Sequence, residues 1–308
     1  PMGHKVVTDP DKARERVRRY HEEGWDFIKI YTRLSPEVYA AIIDEAGKLD
    51  FPVAGHVPYP VVEQDYGLAQ PMVTIEHTEE IFQGPLDHKF DEAPVVAVAR
   101  QLKAMNATLT PTLLIFDHLV AIARGKEEFL DGIPMEQLNP LMKWFTDKTA
   151  GQRWLDADEG LTEYLERENE FLAHITRVLH EEGVELVAGS DCGVIYALPG
   201  RSTHDELRLM REAGIPHADV LRMATLGPAA VLGVAEELGS IEAGKVADAV
   251  LTETNPLQDI SALASPRAVL KNGQWLRREV LEDLEKSAAR PSSFYLTFGR
   301  MLEFLLFA

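Results

Sequence analysis

Short apolar runs alternate with amphipathic helical stretches through most of this chain, and no other sequence feature constrains the fold as tightly. Asp9 to Glu23 reads as a charged helix closed by Gly24, and Phe27 to Tyr31 as a strand. Ser35-Pro36-Glu37 is a helix start, with Ser35 as cap and Pro36 in the first turn. Val38, Ile42, Ile43 and Ala46 give that helix one apolar face. Val53 to Val57, Val73 to His77, Thr108 to Ile115 and Glu185 to Gly189 read as further strands. The helices between or after them are 93–105, 171–183, 203–213 and 218–226. Strands alternating with helices of this length predict a parallel sheet with right-handed crossovers. An open doubly wound sheet and part of a (β/α)8 barrel both satisfy the pattern.

Two stretches break the alternation. Residues 117–170 are charged, helix-prone and rich in Trp, Met and Phe, and read as a helical insertion, a lid or a dimer surface. After Gly239 the texture turns to short strands, Val246 to Leu251, Ala268 to Leu270 and Trp275-Leu276, with Asn272-Gly273 between the last two. Asn-Gly between apolar runs is a strong hairpin signal. The chain ends in an apolar stretch from Phe294 to Ala308.

Four of the expected parallel strands end in a side chain able to serve a metal. These are Lys29 in Asp-Phe-Ile-Lys-Ile-Tyr, His56 in Val-Ala-Gly-His-Val, His77 in Thr-Ile-Glu-His-Thr, and Asp191 after Val-Ala-Gly-Ser. Side chains alternate along a strand, so Phe27, Lys29 and Tyr31 share one face and Ile28 and Ile30 the other. In a barrel the Ile pair meets the helices and Lys29 points inward. The C-terminal strand ends are where barrel active sites form. Imidazole and carboxylate suit Zn²⁺, and a carbamylated lysine can bridge two ions. Taken singly, each residue has a plainer role: a solvated lysine, a hydrogen-bonded core histidine, a turn aspartate. Four in one order at strand ends favour a site.

The formal net charge of −19, from 50 acidic and 31 basic residues, argues against a nucleic-acid partner, which needs clustered Lys and Arg. The single cysteine, Cys192, forms no internal disulfide and fits a reducing compartment, which favours the cytoplasm. No stretch reaches the ~20 apolar residues of a spanning helix.

These motifs resemble the metal-dependent amidohydrolase superfamily, on the branch of prolidase-like and imidazolonepropionase-related enzymes. Lys29, His56, Glu76-His77 and Asp191 match in order the carboxylated lysine, the two histidines and the last-strand aspartate. His204-Asp205-Glu206-Leu207, Pro228-Ala229 and Leu232-Gly233 are similar to the last helices. The segment Gly239 to Asp248, with Asn255-Pro256-Leu257, is similar to the entry into a small β-sandwich. The resemblance covers roughly Asp9 to Arg277.

It implies an α/β chain forming an incomplete (β/α)8 TIM barrel that lacks its first strands, over 1–238, with the C-terminal part of a β-sandwich over 239–280 and a helical apolar tail over 281–308. It also implies zinc, two ions bridged by carboxylated Lys29, held by His56, His77 and Asp191. Asp191 would shuttle the proton, and Tyr59 and His204 would contact substrate. The implied enzyme hydrolyses C–N bonds of small molecules such as dipeptides or N-acyl amino acids, as a possible homo-oligomer. A mononuclear cyclic-amide hydrolase and a truncated non-catalytic chain are the alternatives.

Three departures qualify the match. The superfamily's first strand carries His-x-His, which this sequence lacks throughout, so a fragment of a longer chain is the expectation. Prolidase-like relatives often place Tyr two residues after the first histidine of this series, whereas here Pro58 precedes Tyr59. Cys192 stands where relatives often have Ala, and reads as a small buried residue.

Overall fold

The computed structural model describes residues 5–63, 65–69, 72–148, 150–288, 293, 295–299 and 302. The chain divides into two compact units. The first comprises 1–111, 174–187 and 230–232; the second comprises 112–173, 188–229 and 233–308.

The first unit is built on a parallel sheet of five strands in sequence order: β1 (Ile28–Ile30), β2 (Val53–Gly55), β3 (Thr74–Glu76), β4 (Thr108–Thr110) and β5 (Glu185–Leu186). Each observed strand is shorter than its expected run. The helix Pro36–Lys48 starts as expected, with the Ser35 hydroxyl accepting the Val38 amide at 3.3 Å. Its inner face buries Val38, Ala41, Ile42 and Ala46, and Val95, Ala99 and Leu102 do the same on the helix Ala93–Ala104. Burial of such side chains is the main favourable term in folding.

The expected strand from Thr108 to Ile115 is corrected. Strand β4 ends at Thr110; Pro111 supplies no ladder donor, Thr112 takes a left-handed φ of 52°, and a helix, Leu113–Asp131, begins at once. In the second unit the fully buried carboxylate of Glu206 accepts the amides of Leu113 and Leu114 at 3.1 and 2.8 Å, satisfying orphan donors at that helix start. The stretch 117–170 is helical, as read from its composition, in Leu113–Asp131, Pro140–Lys148, Ala150–Leu155 and the long Glu159–Glu181 that absorbs the helix expected at 171–183.

Burial pushes the Glu206 carboxyl from an ordinary 4.5 up to about 7, against the pull of the amides it accepts. A raised carboxylate binds its proton more readily folded than unfolded. Stability from this group is therefore largest below pH 4.5 and falls as pH rises through 7, by roughly 3 kcal/mol in all. Glu206→Gln keeps one acceptor oxygen, sets its amide nitrogen against the other main-chain donor at a pH-independent cost, and removes the titration. Urea midpoints at pH 5 and pH 7.5 should then differ less in the variant than in the parent; parallel profiles would contradict the assignment.

The second unit also holds an antiparallel sheet of β6 (Ala249–Leu251), β7 (Ala268–Lys271) and β8 (Gln274–Arg277). Asn272 and Gly273, at φ 50° and 78°, have the signs that a two-residue hairpin turn demands. A helix, Arg278–Ala288, follows β8. Most of the expected apolar tail lies outside the described residues, and its described members Tyr295, Leu296, Phe298 and Leu302 are exposed. Among the described residues no helix is long and apolar enough to cross a membrane.

Candidate metal centre

The C-terminal ends of β1, β2 and β3 bring Lys29, His56 and His77 together within the first unit. Strands β1 and β2 are in register with Lys29 opposite Ala54. Gly55, at φ 128°, is what lets β2 run this close: a Cβ there would lie 2.3 Å from the Ile30 carbonyl oxygen. The next amide, of His56, donates to that same carbonyl at 3.3 Å.

His56 is buried, at 4% exposure. Its Nδ1 lies 2.6 Å from Oε1 of Glu80, itself at 2% exposure. A carboxylate accepts only, so Nδ1 carries a proton, and in the neutral ring Nε2 is left with a lone pair. Metal-ligating histidines are commonly oriented in this way. The His77 ring is 4.6 Å from His56, and Tyr31 stacks edge-on to His56 at 4.2 Å. His77 adopts a left-handed φ of 76°, uncommon for a side chain of this bulk and costing on the order of 1–3 kcal/mol. Its amide donates to the Thr110 carbonyl at 2.8 Å, and that of Thr78 to Pro111 at 3.0 Å, so β4 holds the turn in place. Desolvation by burial, then the electrostatic influence of His56 and Lys29, bring the His77 pKa from 6.5 down to about 3. The ring is thus neutral near pH 7, the form that ligates metal.

Lys29 alternates out of the core as the strand parity requires, with Ile30 buried. It is exposed rather than enclosed, and so are Phe27 and Tyr31 on its face, because β1 is the end strand of the five. Tyr59 is partly exposed on the short helix Tyr59–Val62, and its hydroxyl donates to Oε1 of Gln83 at 3.0 Å. Burial first, then the charges of Glu80 and Glu79, raise the Tyr59 phenol.

Two acidic residues enter the site without having been anticipated. His56, Glu79 and Glu80 offer ligand atoms within 4.8 Å of one another, a set able to hold a cation. Their only sequence signal is Glu79-Glu80 two and three residues after His77. The donor set of neutral imidazoles and buried carboxylate suits a borderline cation such as Zn²⁺.

Asp191 and His204 belong to the second unit. Asp191 is exposed at a left-handed φ of 45°. Cys192 beside it is exposed, which corrects the expected small buried residue: Asp191 and Gly193 at positive φ turn the loop and its cysteine outward. His204 is half-buried on the helix Arg201–Glu212, with a buried Nδ1 that has no hydrogen-bond partner among the described residues.

Residues 11–276 match a family model described as the amidohydrolase family. No curated protein matches the chain. Among solved structures, a Xaa-Pro dipeptidase with bound methionine in its active site is 21% identical at a TM-score of 0.61, over 88% of this chain and 59% of its own. A bottromycin amidohydrolase is 24% identical at a TM-score of 0.72, over 92% and 63%. An ochratoxinase of A. niger is 18% identical at a TM-score of 0.60, over 88% and 55%. At these identities the likeness is one of fold, and the chain spans less than two thirds of the length of each.

Proposed function

This chain belongs to the amidohydrolase family, and from that premise we propose that it carries the metal centre of a hydrolase cleaving C–N bonds in small substrates such as dipeptides or N-acyl amino acids. The observation that carries the reading is the buried pair His56 and His77, one oriented by Glu80 and the other held neutral. Residues 1–238 are read as part of a (β/α)8 barrel with its helical insertion at 117–170, and 239–280 as part of a β-sandwich. The 281–308 segment is read as an appended tail.

His56, His77 and Asp191 would hold zinc in this reading, and carboxylated Lys29 would help to hold a second ion. When bound, the metal supplies Lewis-acid polarisation of the amide carbonyl and acidifies a water. Glu80 keeps the proton on His56 Nδ1, so that Nε2 stays a ligand. Asp191 would serve as the group that carries a proton from water to the departing nitrogen. Tyr59 and His204 contact substrate. The exposed Trp25, Phe27 and Tyr31 support a homo-oligomer, which native mass would reveal.

One observation favours the mononuclear reading with a cyclic amide as substrate: Lys29 is exposed while both histidines are buried. Metal stoichiometry separates the two. Hydrolysis of a dipeptide and N-acyl amino acid panel by the zinc-loaded protein tests the function. Asp191→Asn, which removes both a metal ligand and the proton carrier, should lower kcat by about 10²–10⁴ and weaken zinc binding. Full activity in Asp191→Asn would remove that residue from the mechanism.

A further inference from the structure

Within the second unit, a cavity of about 320 Å³ opens beside the loop that follows Asp191, and its residues have no part in the metal centre. We propose that this cavity is a binding site for a small primary amine with an aromatic or apolar body. The argument comes from subtracting the polar groups already satisfied. The Tyr196 hydroxyl donates to Oδ1 of Asp147 at 2.9 Å, and the buried Ser202 Oγ lies 2.9 Å from Ser190 Oγ, so neither needs a ligand. His118 Nδ1 lies 2.9 Å from the Ile195 carbonyl, which can only accept. In the neutral ring, Nδ1 therefore carries the proton and Nε2 is an acceptor.

Two carboxylates line the same space. Glu128 is exposed and makes no hydrogen bond or ion pair among the described residues. Asp205 is half-buried, and its contact with Arg201 Nε, at 3.8 Å, is too long for a hydrogen bond. The Arg201 side chain is 61% exposed and Glu128 is exposed as well, so solvent screens both charges, and two carboxylates stand against one guanidinium. The balance left in the cavity is three acceptors and one screened cation. Phe129 stands edge-on to His118 at 5.5 Å and gives an aromatic wall. An ammonium is attracted both by carboxylates and by such a ring. Ile133 and Leu198 add apolar surface for the body of the molecule. A cavity of this volume is at the small end of ligand sites. The chain's net charge of −19 raises the local concentration of cations.

The site is independent of the metal centre, so the test is direct binding rather than turnover. Benzylamine, benzyl alcohol and benzoate are titrated calorimetrically into the full chain with a chelator present, so that amine coordination to metal makes no contribution. Saturable binding of benzylamine, with benzyl alcohol at least about tenfold weaker and benzoate without binding, is expected. The double variant Glu128→Gln, Asp205→Asn should weaken benzylamine by about tenfold or more, at an unchanged urea midpoint. Benzoate binding as well as benzylamine would mean that Arg201 governs the cavity and would overturn the proposal. So would no saturable binding, or a folded double variant with parental affinity.

Discussion

Replacing His56 with alanine is expected to abolish stoichiometric metal binding, the largest functional effect foreseen for any single side chain here. The imidazole is the meeting point of the site. Its Nδ1 is fixed by Glu80 at 2.6 Å, its ring adjoins His77, and it completes the cation-capable set with Glu79 and Glu80. His56→Ala removes the Nε2 ligand and leaves the Glu80 carboxylate buried without its donor, so some loss of stability should accompany the loss of metal. Glu80→Gln is the graded companion. It keeps the ligand atom but no longer holds the imidazole by charge, and removal of such an orienting group typically costs about 10–100-fold in metal affinity. Elemental analysis of the dialysed proteins, with circular dichroism to show that each is folded, reads both effects. Metal at parental stoichiometry in folded His56→Ala would place the ion elsewhere.

The largest effect on stability is expected at Gly55. Its φ of 128° lies where other residues are strained, and an added Cβ would sit 2.3 Å from the oxygen and 2.9 Å from the nitrogen of Ile30. Both are backbone atoms of the neighbouring strand, so no side chain can swing aside. Relief requires β1 and β2 to separate where they present Lys29 and His56. Gly55→Ala should therefore cost more than about 3 kcal/mol and lower metal affinity in whatever remains folded. Gly47 is the internal control: nothing lies within 4 Å of a Cβ placed there, inside the helix Pro36–Lys48. Gly47→Ala should stabilise by about 0.5–1 kcal/mol. Urea denaturation of the pair decides, and equal midpoints for Gly55→Ala and the parent would refute the packing argument.

The site was legible in sequence where it depends on strand parity. The apolar runs locate β1, β2 and β3, with His56 and His77 directly after the last two, and a period of two puts Lys29 on the face of β1 opposite the buried Ile30. Glu80 was not legible. Its partner His56 lies 24 residues away, and the contact is made from the helix Glu79–Gln83 rather than from a strand. Local pattern carries no trace of such a pairing. The run from Thr108 to Ile115 was misread for a different reason. The apolar residues Leu113, Leu114 and Ile115 fit a buried strand and a buried helix equally, and the start of the helix at Leu113 is met by Glu206, some ninety residues onward. The hairpin at Asn272-Gly273 was legible because its turn chemistry is wholly local. The inward placement of Lys29 presumed strands flanking β1 on both sides; as the end strand of five, β1 leaves it exposed.

The account's central claim is that His56 and His77 hold the catalytic metal. Anomalous scattering at the zinc edge from crystals grown with zinc tests it most directly. The account predicts a peak about 2.0–2.1 Å from a ring nitrogen of each histidine. A fully occupied zinc bound elsewhere, or none near either ring, would contradict it.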